Sequence, residues 1–368
     1  MAIGELIADL RKARGWSQGR LASAINDAFG TNLDREYISR WECSKVTPGR
    51  FYLRCLSAVL DVPLAVLEGE VKRRKFLSDA AATAIAPLVA SDLLTAGFSA
   101  RLAGGPSGDD WEGKLATYGT EYMSLGAADI QRRVSGELVV VQQQLDNPHL
   151  WSVASRLMTL YAKTFSGSDG SKAVNWYRMA AQAADQSGDD QARVWVRGRA
   201  AIALGYEGAS LGVADVLADQ AMAISDKPSL GLLNAIMGKA HAAAIRGDQA
   251  TARKLMDQGR HVFDKAASHE QTSDYAVPWW RMNVFVSLLA ARLGDEGAAV
   301  AAQDAARREL PATLPRFATH LEMHRGLMLA RSGDKTGGTA YARGALDALP
   351  PEKHSLTLRL LMTEVEAS

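Results

Sequence analysis

Cysteine is nearly absent from this 368-residue chain, which has only Cys43 and Cys55. Two thiols cannot build a disulfide framework or a zinc quartet, so a reducing, cytoplasmic compartment is the expectation. Long apolar runs are missing too. The amino terminus, MAIGELIADLRKARG, is amphipathic from the start and does not read as a secretion signal. In KRRKFLSDAAATAIAPLVA the apolar stretch is broken by Asp79 and Pro87, with Asp92 close behind. It falls short of the ~20 residues that span a bilayer, so no membrane partner is expected.

Catalytic signatures are also lacking. There is no GxSxG elbow and no dinucleotide fingerprint, and GSDGSK at 167–172 lacks the spacing of a phosphate loop. His320 and His324 in HLEMH lie one helical turn apart, but Glu322 between them points to another face, and the order is not the HExxH of zinc proteases. An enzyme, a metal site and a cofactor are therefore not expected. Net charge is +1, yet the two ends differ. Up to Lys75 there are 13 Lys or Arg against 9 Asp or Glu, and in the remainder 29 against 32. This modest basic excess sits at the amino end.

That end also carries the densest pattern. SQGRLASAINDAFGTNLDREYISRWE, residues 17–42, reads as two short helices joined by a turn. Ser17 can cap the first, and Asn32 or Asp34 the second, each side-chain oxygen accepting from an otherwise orphaned backbone N–H. Leu21, Ala22 and Ile25 give the first helix an inner face, and Ile38 and Trp41 do the same for the second. Ile3, Leu6, Ile7 and Leu10 upstream and Leu53, Leu56, Val59 and Leu60 downstream recur at helical spacing, so flanking helices can share one small core. Arg35, Glu36, Tyr37, Ser39 and Arg40 are left facing outward. An Arg fork can grip guanine O6 and N7, and a Glu can accept from cytosine N4.

Ser17, Gln18, Ile38, Ser39, Trp41, Glu42, Lys45 and Pro48 together resemble the Cro/CI-type helix-turn-helix of the xenobiotic-response-element regulator family, over about a fifth of the chain. The resemblance implies that Arg35, Glu36 and Arg40 read bases, that Gln18, Tyr37 and Lys45 anchor phosphates, and that Glu42 pairs with Arg11. The segment NDAFGTNLD departs from the family by several extra residues before Arg35.

From about residue 111 the composition turns to helical Ala, Leu and Gly periodicity with few β-branched runs. RGRAAIALG, KAHAAAIRG, FVSLLAARLG and HRGLMLARSG align as helix ends closing at Gly205, Gly247, Gly294 and Gly333, spaced 42, 47 and 39 residues apart. Seven positions earlier stand the small residues Gly198, Ala240, Ser287 and Gly326, which permit close helix approach. Asp248, Asp295 and Asp334 follow the last three glycines, as caps of the next helix. The pattern resembles the tetratricopeptide repeat, loosened and longer than 34 residues, with five to six copies over 111–349 and a capping helix, LTLRLLMTEVEAS. Trp279 and Trp280 open a helix after Pro278.

The expected fold is thus all-α, a five-helix helix-turn-helix domain followed by a tetratricopeptide-like solenoid. The expected divisions are 1–70 for DNA binding, 71–110 for a basic connector (Lys72, Arg73, Arg74, Lys75), linker helix and loop, and 111–368 for the repeats. Such an array has a concave face suited to an extended peptide. Registering copies on their glycines puts Asn234, Arg281 and His320 in one column, Trp195 in a second with Met237, Val284 and Met323, and Arg199 and His241 in a third, as ligand-groove candidates. The two modules together resemble the peptide-pheromone receptors of Gram-positive bacteria. That resemblance implies a homodimeric transcription regulator, a palindromic double-stranded DNA operator and a peptide or small-molecule effector. The rival reading is a DNA-binding regulator whose repeats recruit a partner protein.

Overall fold

The structure, a computed structural model, describes residues 3–43, 45–60, 104–165 and 170–368, with isolated positions 97, 99 and 102. The chain divides into two compact units, residues 1–91 and 92–368. Every regular element among the described residues is helical. The connector Lys72 to Lys75, its linker helix and the expected fifth amino-terminal helix lie outside the described residues.

The first unit contains α1 (Ile3–Ala13), α2 (Gln18–Phe29), α3 (Arg35–Glu42) and α4 (Arg50–Val59). Ile7, Leu21, Ile25, Ile38, Trp41, Leu53, Leu56 and Leu60 bury together as its core. Ser17 caps α2 by accepting from the Arg20 N–H. Of the two candidates before α3, Asp34 is the cap, accepting from the Tyr37 N–H. The long turn has its own internal order. Gly30 ends α2 in the left-handed region, with φ 64°. Asn26 then clasps the loop: its Oδ1 accepts from the Leu33 N–H and the Thr31 hydroxyl, and its Nδ2 donates to the Leu33 carbonyl. Leu33 is thereby drawn into the core.

Among its described residues from 104 onward, the second unit has six helical hairpins and a closing helix. They are α5/α6 (Gly108–Ser124, Ala127–Gln142), α7/α8 (Pro148–Ala162, Gly170–Ser187), α9/α10 (Asp190–Glu207, Leu211–Ile224), α11/α12 (Leu230–Ile245, Gln249–Ala266), α13/α14 (Trp279–Arg292, Glu296–Glu309), α15/α16 (Pro315–Arg331, Lys335–Asp347) and α17 (Leu356–Ala367). The odd-numbered helices from α7 onward stack on one another as the inner layer, each with its even partner outside. This is a tetratricopeptide-like solenoid. Asp248, Asp295 and Asp334 cap α12, α14 and α16 as anticipated. Trp280 is fully buried, whereas Trp279 is 46% exposed.

Two features depart from the sequence reading. Gly205 does not close a helix: α9 runs on to Glu207, and the left-handed cap is Gly208, φ 72°. Gly205 packs against Gly238 of α11, so close that a Cβ would overlap the Gly238 carbonyl oxygen. Its alignment with Gly247, Gly294 and Gly333 is therefore three residues out of register. The second departure is curvature. The superhelix is tight enough that α17 reaches back to α9. There Arg292 of α13 grips Glu364 of α17 (2.8 Å) and donates to the Gly205 and Tyr206 carbonyls of α9.

Candidate functional site

In the first unit, α3 is held from behind by a single carboxylate. Glu42 accepts from Arg11 Nε at 2.6 Å, from Arg11 Nη2 at 3.0 Å and from Gln18 Nε2 at 2.8 Å, joining α1, α2 and α3. Burial works against its charge, but the Arg11 and Gln18 hydrogen bonds outweigh that and hold its pKa below the usual value. Behind the same junction, Gly4 lies where a Cβ would overlap the carbonyl oxygens of Trp41 and Glu42, so α1 crosses α3 backbone to backbone.

The outward face of α3 is free of packing. Arg35, Glu36, Tyr37 and Arg40 are all exposed, and Arg40 lies 3.3 Å from Glu36, one turn away. Lys45 is exposed just past α3, its N–H donating to the Arg40 carbonyl. Gln18 is half-buried and spans both sets: it donates to Glu42 and accepts from Arg35 Nε at 3.5 Å. Five of the six predicted DNA-contacting side chains are thus exposed on or just past α3, and the sixth, Gln18, supports them from α2. Cys43, which ends α3, is exposed, whereas Cys55 is buried and its thiol pKa is pushed up by desolvation.

In the second unit the predicted groove residues do not share one open channel. Arg199, Asn234, His241, Arg281 and His320 are all more than nine-tenths buried. The loop between α12 and α13 enters the inner face. Its Asp274 donates its N–H to the Gly119 carbonyl of α5 and receives on one carboxylate oxygen Lys163 Nζ (2.5 Å), Arg199 Nη2 (2.8 Å) and Arg281 Nη2 (2.9 Å). Arg199, Arg281 and His320 meet at a cavity of about 80 Å³ that Tyr122, Lys163, Glu207 and Arg316 also line. Trp195 lies elsewhere, at a cleft with Arg156 and Tyr275. Asn234 is buried, with its Oδ1 unpartnered among the described residues. His241 accepts at Nδ1 from Arg292 (3.0 Å) and packs edge-on to Tyr206.

Lys163, Asp274, Arg316 and Glu207 were missed. They come from the cap that follows α7, an irregular loop, α15 and the end of α9, and only the closing of the superhelix brings them together. Periodicity within one repeat carries no such signal.

The fold and the exposed α3 ridge define an all-α protein with a helix-turn-helix unit followed by a repeat solenoid. Among the described residues no helix is long and apolar enough to cross a membrane. No family model matches the sequence. No curated protein matches it either. Among solved structures the chain is similar to the crystal structure of Bacillus thuringiensis PlcR in complex with the peptide PapR7 and DNA. The identity is 16%, over 72% of this chain and 94% of that one, with a TM-score of 0.35.

Proposed function

We propose that this chain is a sequence-specific DNA-binding transcription regulator of the xenobiotic-response-element type, whose repeat unit senses an effector and pairs two copies on a palindromic operator. The observation that carries this reading is the α3 ridge. Two arginines and a glutamate with base-reading chemistry stand unpacked on a short helix that Arg11, Gln18 and Glu42 lock from behind. In this reading Arg35, Glu36 and Arg40 enter the major groove, while Gln18, Tyr37 and Lys45 meet the flanking phosphates. Trp195, Arg199, Asn234, His241, Arg281 and His320 belong to the effector-responsive inner layer.

An effector changes DNA binding only through different affinities for two arrangements of the dimer, a coupling of typically about 1 to 3 kcal/mol. The test is unbiased selection of genomic fragments by purified full-length protein at moderate ionic strength, with and without cell extract. Enrichment of a common inverted-repeat motif, lost in a double Arg35→Ala, Arg40→Ala variant, is the expected result. Retention of random fragments alone would remove the DNA-reading role.

A further inference from the structure

The cavity on the inner face of the solenoid is unusual in its charge. Four cationic side chains line it, Lys163, Arg199, Arg281 and Arg316, against two acidic ones, Asp274 and Glu207. Three of the cations already crowd one oxygen of Asp274. Arg199 and Arg281 are 5% and 4% exposed, and each has an Nε with no hydrogen-bond partner among the described residues. Arg316, from the α15 side, donates to the Tyr122 carbonyl.

Burial and the neighbouring Arg199 push the Lys163 ammonium well below its ordinary pKa and lower that of Arg281, whereas at Arg199 itself Asp274 outweighs burial and raises it. Glu207, which accepts from the Thr357 hydroxyl, is pushed up to about 7 by desolvation and so carries only part of a charge near neutrality. Ser355 and Thr357 bring the start of α17 to the same cavity, adding the positive end of a helix dipole. Uncompensated buried positive charge is costly, and a bound anion removes that cost.

We propose that this cavity is the binding site of a small free oxyanion, phosphate or a short carboxylate, held among Lys163, Arg199, Arg281 and Arg316. At about 80 Å³ it has room on the order of a few water molecules. That is well short of the roughly 300 Å³ or more of sites for drug-sized ligands. The site deepens the sensing role assigned above by giving the effector a chemical class.

The test is isothermal titration of full-length protein with sodium phosphate and, separately, sodium succinate, in a buffer low in chloride. One-to-one binding of at least one of them is expected, and the two arms distinguish phosphate from carboxylate. Ala203 lines the cavity, so Ala203→Leu fills it without altering charge. Arg316→Gln removes one cation while leaving the Asp274 cluster in place. Each is expected to weaken binding at least tenfold while keeping the helical circular dichroism signal. Absence of binding for both anions at 10 mM (roughly a hundredfold above a 0.1 mM site), or equal binding by wild type and both variants, would overturn the proposal. Anion binding with unchanged operator affinity would uphold the site and count against the sensing role.

Discussion

Glu42 shows how one carboxylate can set the geometry of an exposed helix. Its partners come from α1 and α2, so losing its charge loosens three helices at once. Hydrogen bonds to a buried charged group are worth about 1.5 to 3 kcal/mol, and Glu42→Gln is expected to cost about that much in the first unit. Faster amide exchange in α1–α3, read by hydrogen–deuterium exchange of the full chain, checks it; unchanged protection would show that the carboxylate only decorates the junction. The exposed residues behave differently. Arg35→Ala and Arg40→Ala should each lose about 1 to 3 kcal/mol of specific binding and leave random-sequence binding nearly intact. Lys45→Ala should weaken all sequences alike and lower the slope of log affinity against log salt by about 1. Equal losses on specific and random DNA in all three variants would contradict these roles.

At the scale of elements, the inner layer depends on glycines that bring backbones into contact. Gly198 and Gly205 of α9 face Gly231 and Gly238 of α11. A Cβ on Gly238 would sit 2.5 Å from the Ala201 carbonyl carbon and 2.6 Å from its oxygen, neither of which can swing aside. Gly238→Ala should therefore destabilise the solenoid by about 3 kcal/mol, against the fraction of a kcal/mol that Gly→Ala ordinarily gains in a helix. Thermal unfolding of the variant checks the sign; an increase in midpoint would mean that α9 and α11 separate at little cost. The same glycines limited what the sequence could reveal. Gly247, Gly294 and Gly333, each followed by Asp, mark real turns. Gly205 aligns with them on the preceding helix but is followed by Tyr206 rather than Asp, and it lies within α9, packed against Gly238. The Ser17 cap, the choice of Asn32 or Asp34 for the next helix, the buried faces of α2 and α3 and the outward set on α3 were legible because each is encoded within a few residues. The Asp274 cluster was not, since Lys163 alone lies 111 positions from the carboxylate it meets.

On the scale of the whole molecule, closure of the superhelix traps titratable groups that must stay neutral. Tyr206 meets His324 Nε2 at 2.9 Å and His320 Nδ1 at 3.5 Å, Ser287 meets His324 Nδ1 at 3.0 Å, and Arg292, which can only donate, holds His241 as an acceptor. Desolvation, reinforced by Arg316, takes His320 down to about 3, and desolvation with Arg292 nearby lowers His241 and His324 well below 6.5. A histidine whose folded pKa is depressed contributes stability that is complete above its unfolded value, near 6.5, and is lost as acidification forces a proton onto it. Glu207 acts in the opposite direction. Its folded pKa of about 7 exceeds the unfolded value near 4.5, so its contribution is full below 4.5 and disappears as pH rises through 7. Three histidines oppose one carboxyl over the same range, and the unfolding midpoint of the solenoid should fall as pH is lowered from 7 to 4.5. Glu207→Gln removes the opposing contribution and should steepen that fall, whereas His320→Gln should make it shallower. Melting curves at half-unit pH steps on the three proteins decide it. A midpoint that holds or rises on acidification in the wild type, or variants that shift the slope in the reverse sense, would show that these groups do not stay buried and neutral in the folded chain.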